Sequence, residues 1–152
     1  MEMASEKSES LPKNAIEAQG LLIKAIYEKY GEKALPIVAD VLKRQGRALG
    51  LKVKKKLPDN RLSTVAKIFT KNWDSALVKV ISVSDEKFHI QGTKCPFGLE
   101  NTSRELCKAV MEIDREYFFV ATDGKTELEI LQTVAAGDPQ CDTIYTIKKS
   151  EK

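Results

Sequence analysis

The sequence holds one histidine, His89, and three cysteines in 152 residues. A single imidazole leaves little room for a Ser–His–Asp or Cys–His triad, and it excludes the paired-histidine metalloprotease motif. No P-loop and no dinucleotide fingerprint is present, so those enzyme classes have no support either. An odd cysteine count without a secretion signal argues against a disulfide framework and for reduced thiols, whether inert, catalytic or metal-bound. No apolar run approaches the roughly 20 residues that span a bilayer, and the start of the chain, 1–12, is polar with nothing resembling a signal peptide. A cytoplasmic protein outside the membrane is therefore expected.

What is present suits one globular domain with a real core. The net charge of +3 hides an asymmetry, because Lys43, Arg44, Arg47, Lys52, Lys54, Lys55 and Lys56 crowd one stretch without an acid among them. Such a cluster is a candidate surface for phosphate, nucleic acid or anionic lipid. No aromatic residue interrupts it to stack on bases. A solvated helix face and linker is the better reading, nucleic acid is not expected as a partner, and an interaction protein docking through this basic segment remains a second alternative for function.

Residues 1–13 are rich in Glu, Ser and Lys and read as a disordered tail, followed by a single domain over 14–150. Asn14 and Glu17 form a capping box before the helical spacing of Ile16, Leu22, Ile23, Ile26, Tyr27 and Tyr30, which Gly31 stops. A second helix begins near Pro36 and runs through Leu49, with Gly46 and Gly50 either weakening it or admitting a close backbone. Leu62, Val65, Ala66, Phe69 and Trp73 give a short third helix. The β-branched run 77–83 and the run 88–92 form a hairpin across Ser84–Lys87 that ends at Cys95. Thr102 and Glu105 propose a second capping box for a helix over about 103–119, whose stripe of Leu106, Val110, Ile113 and Tyr117 puts Cys107 on the inward flank. The runs 126–135 and 141–148 make a second hairpin across Gly137-Asp138-Pro139-Gln140, where a positive φ is expected at Gly137. The order helix, helix, helix, hairpin, helix, hairpin is an α+β architecture: N-terminal helices packed with an antiparallel sheet of two hairpins flanking one helix.

Chemistry concentrates at the cysteines. Cys95 ends a strand-like run, Cys107 lies in the first turns of a helix and Cys141 opens the last strand, so three thiols sit at element edges, where distant residues can meet. Helix N-termini and turn N–H groups favour thiolate, the form that binds metal or attacks carbon. Their spacing matches no short zinc signature, and three separately buried thiols are the competing reading.

A C-P-F-G loop at Cys95–Gly98, a second cysteine in the following helix and a final turn of the form A-x-G-D-P-x-C ending at Cys141 resemble the 4-vinyl-reductase domain family and the related L-2-amino-thiazoline-4-carboxylate hydrolase family. The likeness spans about Leu77 to Lys148. It implies a compact α+β fold, a homodimer, and a small apolar ligand or a metal near Cys95, Cys107 and Cys141, with Gly137 and Asp138 shaping the last turn. The leading reading is a small-molecule or metal-binding domain whose three cysteines hold zinc or an iron–sulfur cluster. His89 is a candidate fourth ligand, although an exposed histidine is the expectation. The alternative is a hydrolase opening a carbon–nitrogen or carbon–sulfur bond of a thiazoline-like ring, with Cys95 or a metal-bound water as nucleophile and Asp138 as acid or base. For Asp138 a turn residue bonding its own backbone is the favoured role.

Overall fold

Helix α1 (Ala15–Tyr30) starts where the sequence predicts. The Asn14 side chain accepts the Glu17 N–H, and the Glu17 carboxylate accepts the Lys13 N–H at 2.8 Å. Two donors that the first turn leaves without an intrahelical partner are thereby satisfied. Gly31 ends the helix at φ 61, and a 3-10 turn over Gly31–Lys33 leads into α2 (Ala34–Lys54). Helix α2 is longer than its apolar pattern suggests and takes up most of the basic segment. Helix α3 (Leu62–Phe69) is shorter than expected. Past it the Thr70 hydroxyl donates to the Ala66 carbonyl at 3.0 Å, the same carbonyl that accepts the Thr70 N–H, which doubles the bond at the helix end. Trp73 lies beyond the helix yet still packs edge-on against Phe69, with ring centroids 4.9 Å apart. This computed structural model describes residues 11–148 apart from Asn72, Asp74 and Ala76. Most of the expected tail, 1–10, thus lies outside the described residues, while 11–13 are exposed.

The two hairpins are present as β1 (Val78–Val83) with β2 (Lys87–Gly92), and β3 (Thr126–Gln132) with β4 (Cys141–Ile147). Antiparallel pairing of β2 with β4 joins them into one sheet of order β1-β2-β4-β3. Alternation gives the sheet two distinct faces: Phe88, Leu128 and Tyr145 are buried against the helices, whereas Glu127, Glu129 and Lys79 face outward. The anticipated single helix between the hairpins is two, α4 (Arg104–Val110) and α5 (Glu112–Ala121), separated only by Met111. Its cap is also one residue later than expected. Ser103, at extended φ −165, accepts the Leu106 N–H, while the Thr102 hydroxyl donates to the Leu99 carbonyl and closes the preceding loop.

Gly46 and Gly50 serve the close approach that their spacing offered. A Cβ at Gly46 would lie 2.1 Å from the Ile113 carbonyl oxygen, and one at Gly50 would lie 2.8 Å from that of Tyr117, so α2 rests directly on the backbone of α5. The same device recurs in α1, where a Cβ at Gly20 would lie 1.8 Å from the Phe97 carbonyl oxygen. The apolar interior forms two clusters. One joins Ile23, Val38 and Leu42 of α1 and α2 to Leu99, Leu106 and Val110. The other joins Leu62 and Val65 of α3 and Phe118 of α5 to Phe88, Leu128 and Tyr145 of the sheet. Tilted and edge-on aromatic contacts, such as Phe118 to Tyr145 at 4.3 Å, tie the second cluster together.

The basic segment is partly neutralised within the chain. Arg44 pairs with Asp40 at 3.1 Å, Arg47 with the buried Glu116 at 3.2 Å, and Lys54 with Asp123. Arg47 and Lys54 thereby help to hold α2 against α5 and the turn that follows it, while the Arg44 pair lies within α2 itself.

Candidate functional site

A cavity of about 500 Å³ occupies the seam between the two clusters. Its walls are Ile16 of α1, Phe69 at the end of α3 and Trp73 beyond it, Val110 and Ile113 of α4 and α5 with Met111 between them, Ile90 and Ile130 of the sheet, and Pro96 and Phe97 of the C-P-F-G loop with Leu99 just past it. Its size is within the roughly 300–1,000 Å³ range of small-molecule sites. The loop is held from both sides. The Gly98 N–H donates to the Cys95 carbonyl at 3.0 Å, with Gly98 at φ 72, and the Glu100 carboxylate accepts the Cys95 N–H at 2.9 Å.

All three cysteines line this cavity. Cys95 comes from the loop, Cys107 from the second turn of α4, and Cys141 from the first position of β4 opposite Gly92. Their ionisation differs from the expectation drawn from element edges. Burial pushes the Cys95 thiol above its ordinary value, outweighing backbone N–H donors from Leu99 and Phe97, and the charges of Glu100 and Cys141 add to the upward shift. Burial drives Cys107 up to about 11 against a hydrogen bond with Thr133. Desolvation therefore outweighs the local donors, and at neutral pH these two groups are thiols.

Among the described residues no three His, Cys, Asp or Glu side chains are grouped to hold a metal ion. His89 does not join the thiols, because it alternates with Phe88 and Ile90 and so lies on the opposite face of the sheet. Nor is it solvated as expected: its Nε2 is 2.5 Å from Asp142 Oδ1, and its side chain is 16% exposed. Gln91 also donates to Asp142, at 3.3 Å. Protonated thiols at Cys95 and Cys107, an imidazole on the other face of the sheet and no ligand cluster among the described residues do not fit a bound zinc or iron–sulfur group in this arrangement.

Asp138 is outside the cavity wall. Its carboxylate accepts the Thr133 N–H at 2.9 Å, bracing the turn in which Gly137 has the positive φ of 89 anticipated for it. The brace reaches the site indirectly, since Thr133 itself lines the cavity. Asp138 is thus a positioning residue for the turn.

The carboxylate that does line the cavity is Asp114, on α5. The Tyr145 hydroxyl donates to its Oδ2 at 3.3 Å. Asp114 is half-buried and forms part of the cavity wall. Burial raises its carboxyl to about 6, with the Tyr145 hydrogen bond acting in the opposite sense. A carboxyl with this value changes charge near neutral pH, as acids and bases in active sites do. A sequence signal for it existed: Val110, Asp114 and Phe118 recur every fourth residue, placing an acid within an apolar helical stripe.

Residues 13–145 match the family described as L-2-amino-thiazoline-4-carboxylic acid hydrolase. No curated protein matches the chain. Among solved structures, a trafficking protein particle complex subunit 3 from Naegleria fowleri, covalently bound to palmitic acid, has a similar fold: TM-score 0.58 at 13% identity, covering 90% of this chain and 95% of that one. The phenol-responsive sensory domain of the transcription activator PoxR, with phenol, has a TM-score of 0.58 at 14% identity and covers 96% of this chain and 84% of that one. At such identities the likeness is one of fold.

Proposed function

The chain belongs to the L-2-amino-thiazoline-4-carboxylic acid hydrolase family, and from that premise we propose that it binds a small, largely apolar molecule in the cavity beneath the C-P-F-G loop. The observation that carries this reading is the cavity itself: about 500 Å³ between two packed clusters, walled mainly by aliphatic and aromatic side chains with a few polar groups at fixed points. Two proteins of similar fold, one holding palmitic acid and the other phenol, support it. Ligand that binds only the folded state raises stability by about 2.7 kcal/mol at a hundredfold excess over Kd. Thermal melts with phenol, palmitate and 2-amino-thiazoline-4-carboxylate as probes should therefore show a rise in Tm for at least one. Ile130→Phe, which fills the cavity, should abolish the rise. Absence of any rise, or an equal rise in the filled variant, would sink the proposal. We extend it to a homodimer, because Leu22, Ile37 and Val41 stand exposed on α1 and α2; light scattering that finds a monomer would remove that extension.

The second reading is hydrolysis of a thiazoline-like ring, with water as co-reactant. Family membership and the near-neutral Asp114 in the cavity favour it. Asp114 is the group suited to take a proton from water, whereas Cys95, pushed up by burial, is a poor nucleophile and belongs to the wall. Incubation with 2-amino-thiazoline-4-carboxylate, followed by mass spectrometry for the one water gained on ring opening, tests it, and a thiol titration then tells carbon–sulfur cleavage, which frees a thiol, from carbon–nitrogen cleavage, which does not. Turnover that survives Cys95→Ala and disappears in Asp114→Asn is expected. No water-adduct product formed by the unmodified protein would reject the hydrolase reading.

A further inference from the structure

Formal charge is sparse in the cavity. Apart from the cysteines, only Lys94 and Asp114 among its lining residues ionise, and they sit in different settings. Lys94 is exposed at the rim, while Asp114 lies beside the aromatic cluster through Tyr145. The Tyr145 hydroxyl is the one hydrogen-bond donor to the Asp114 side chain among the described residues, leaving Oδ1 without one, and no cation offsets its charge. An ionised carboxylate removed from water with a single neutral donor is costly. The cost falls when a cation reaches it with several N–H groups, because charge-assisted hydrogen bonds are roughly twice as strong as neutral ones.

We propose that Asp114 is the anchor of the site and that the ligand class is a protonated amine with an apolar body, the ammonium bonded to the free Oδ1 and the body lying against Phe69, Met111 and Ile130. This rests on the cavity being a small-molecule site, as proposed above. The groups that face Asp114 are consistent with a missing cation. Tyr145 donates from β4. Tyr117, on α5 itself, has its phenol raised by burial and then by the Asp114 charge. Across the cavity are the thiols of Cys95, Cys107 and Cys141 and, at the rim, Lys94. None of these brings a positive charge to the inner end.

The proposal fixes the sign of a pH effect. An ammonium binds the ionised carboxylate, and Asp114 is protonated below about 6, so affinity should rise with pH up to that value and level off above it. Benzylamine and benzyl alcohol form a suitable probe pair, since they share a ring and a methylene and benzylamine stays cationic from pH 5 to 8. By calorimetry, benzylamine should tighten up to about tenfold per pH unit on the acid side, while benzyl alcohol should bind with one affinity throughout. Asp114→Asn should weaken benzylamine at least about tenfold and leave benzyl alcohol unchanged. Tyr145→Phe, which removes the donor that favours the ionised form, should move the benzylamine midpoint to higher pH. Benzylamine affinity that is equal in the unmodified protein and Asp114→Asn, with both probes bound, would overturn the anchor and keep the cavity. Failure of both probes to bind the unmodified protein would overturn the anchor together with the cavity reading.

Discussion

Asp114 sets burial directly against charge, and the balance can be read from stability as well as from binding. Its carboxyl ionises near 3.8 in an unfolded chain and near 6 in the folded one. Between those values the folded state holds more protons, so stability falls as pH rises from about 4 to about 6 and the full penalty remains above. The penalty is on the order of 3 kcal/mol. Asp114→Asn removes it, so the variant should melt higher than the unmodified protein at pH 7.5, by about 2–4 °C per kcal/mol, and the gap should close near pH 4. A gap independent of pH would show that the side chain is not desolvated as described. Cys107 obeys the same sign at the alkaline end, losing stability as pH rises from 9 toward its raised value of about 11. Neither effect was legible in the sequence. Asp114 has polar neighbours in Glu112 and Arg115, and only its place in the Val110–Phe118 stripe gives it away. The thiol positions were legible as element edges, whereas their protonation depends on desolvation, which spacing does not report.

Among the elements, α2 and α5 cross most closely, and Gly46 decides the crossing. Any side chain there meets the Ile113 carbonyl at 2.1 Å, and a backbone contact cannot rotate away. Gly46→Val should therefore cost more than the roughly 1–3 kcal/mol of backbone strain expected of Gly31→Ala, whose φ is 61 but whose Cβ position is open. Denaturant melts compare the two, and equal losses would mean that α2 can shift without consequence. Close approach at Gly46 and Gly50 was one of the two readings their spacing allowed, while the cap at Asn14, both hairpins and the positive φ of Gly137 were legible, because each is settled by chemistry within a few residues. The extension of α2 to Lys54, the break at Met111 and the shift of the second cap from Thr102 to Ser103 were not. The first two depend on partners distant in sequence, Asp123 for Lys54 and the α2 backbone beside the break, whereas the third turns on a choice between adjacent residues, Thr102 donating back to Leu99 and leaving the cap to Ser103.

Across the whole molecule, three thiols from three elements meet one cavity, and no helix among the described residues is long and apolar enough to cross a membrane. Zinc or an iron–sulfur cluster at Cys95, Cys107 and Cys141 would have to strip protons from Cys95 and Cys107, which burial keeps protonated, and draw together side chains that do not form a ligand group among the described residues. Elemental analysis of protein purified without oxygen should accordingly find no stoichiometric metal, and chelator should leave the melting temperature unchanged. Metal recovered with each chain, lost together with stability on chelation, would restore the metal-binding expectation. The position of the cavity has one more consequence. The α1–α2–α4 cluster and the α3–α5–sheet cluster are joined where α2 rests on α5 and are parted by the cavity elsewhere, so hydrogen exchange should report the two with different protection. An occupant touching both walls should narrow that difference, raising protection at Val38 and Leu128 together.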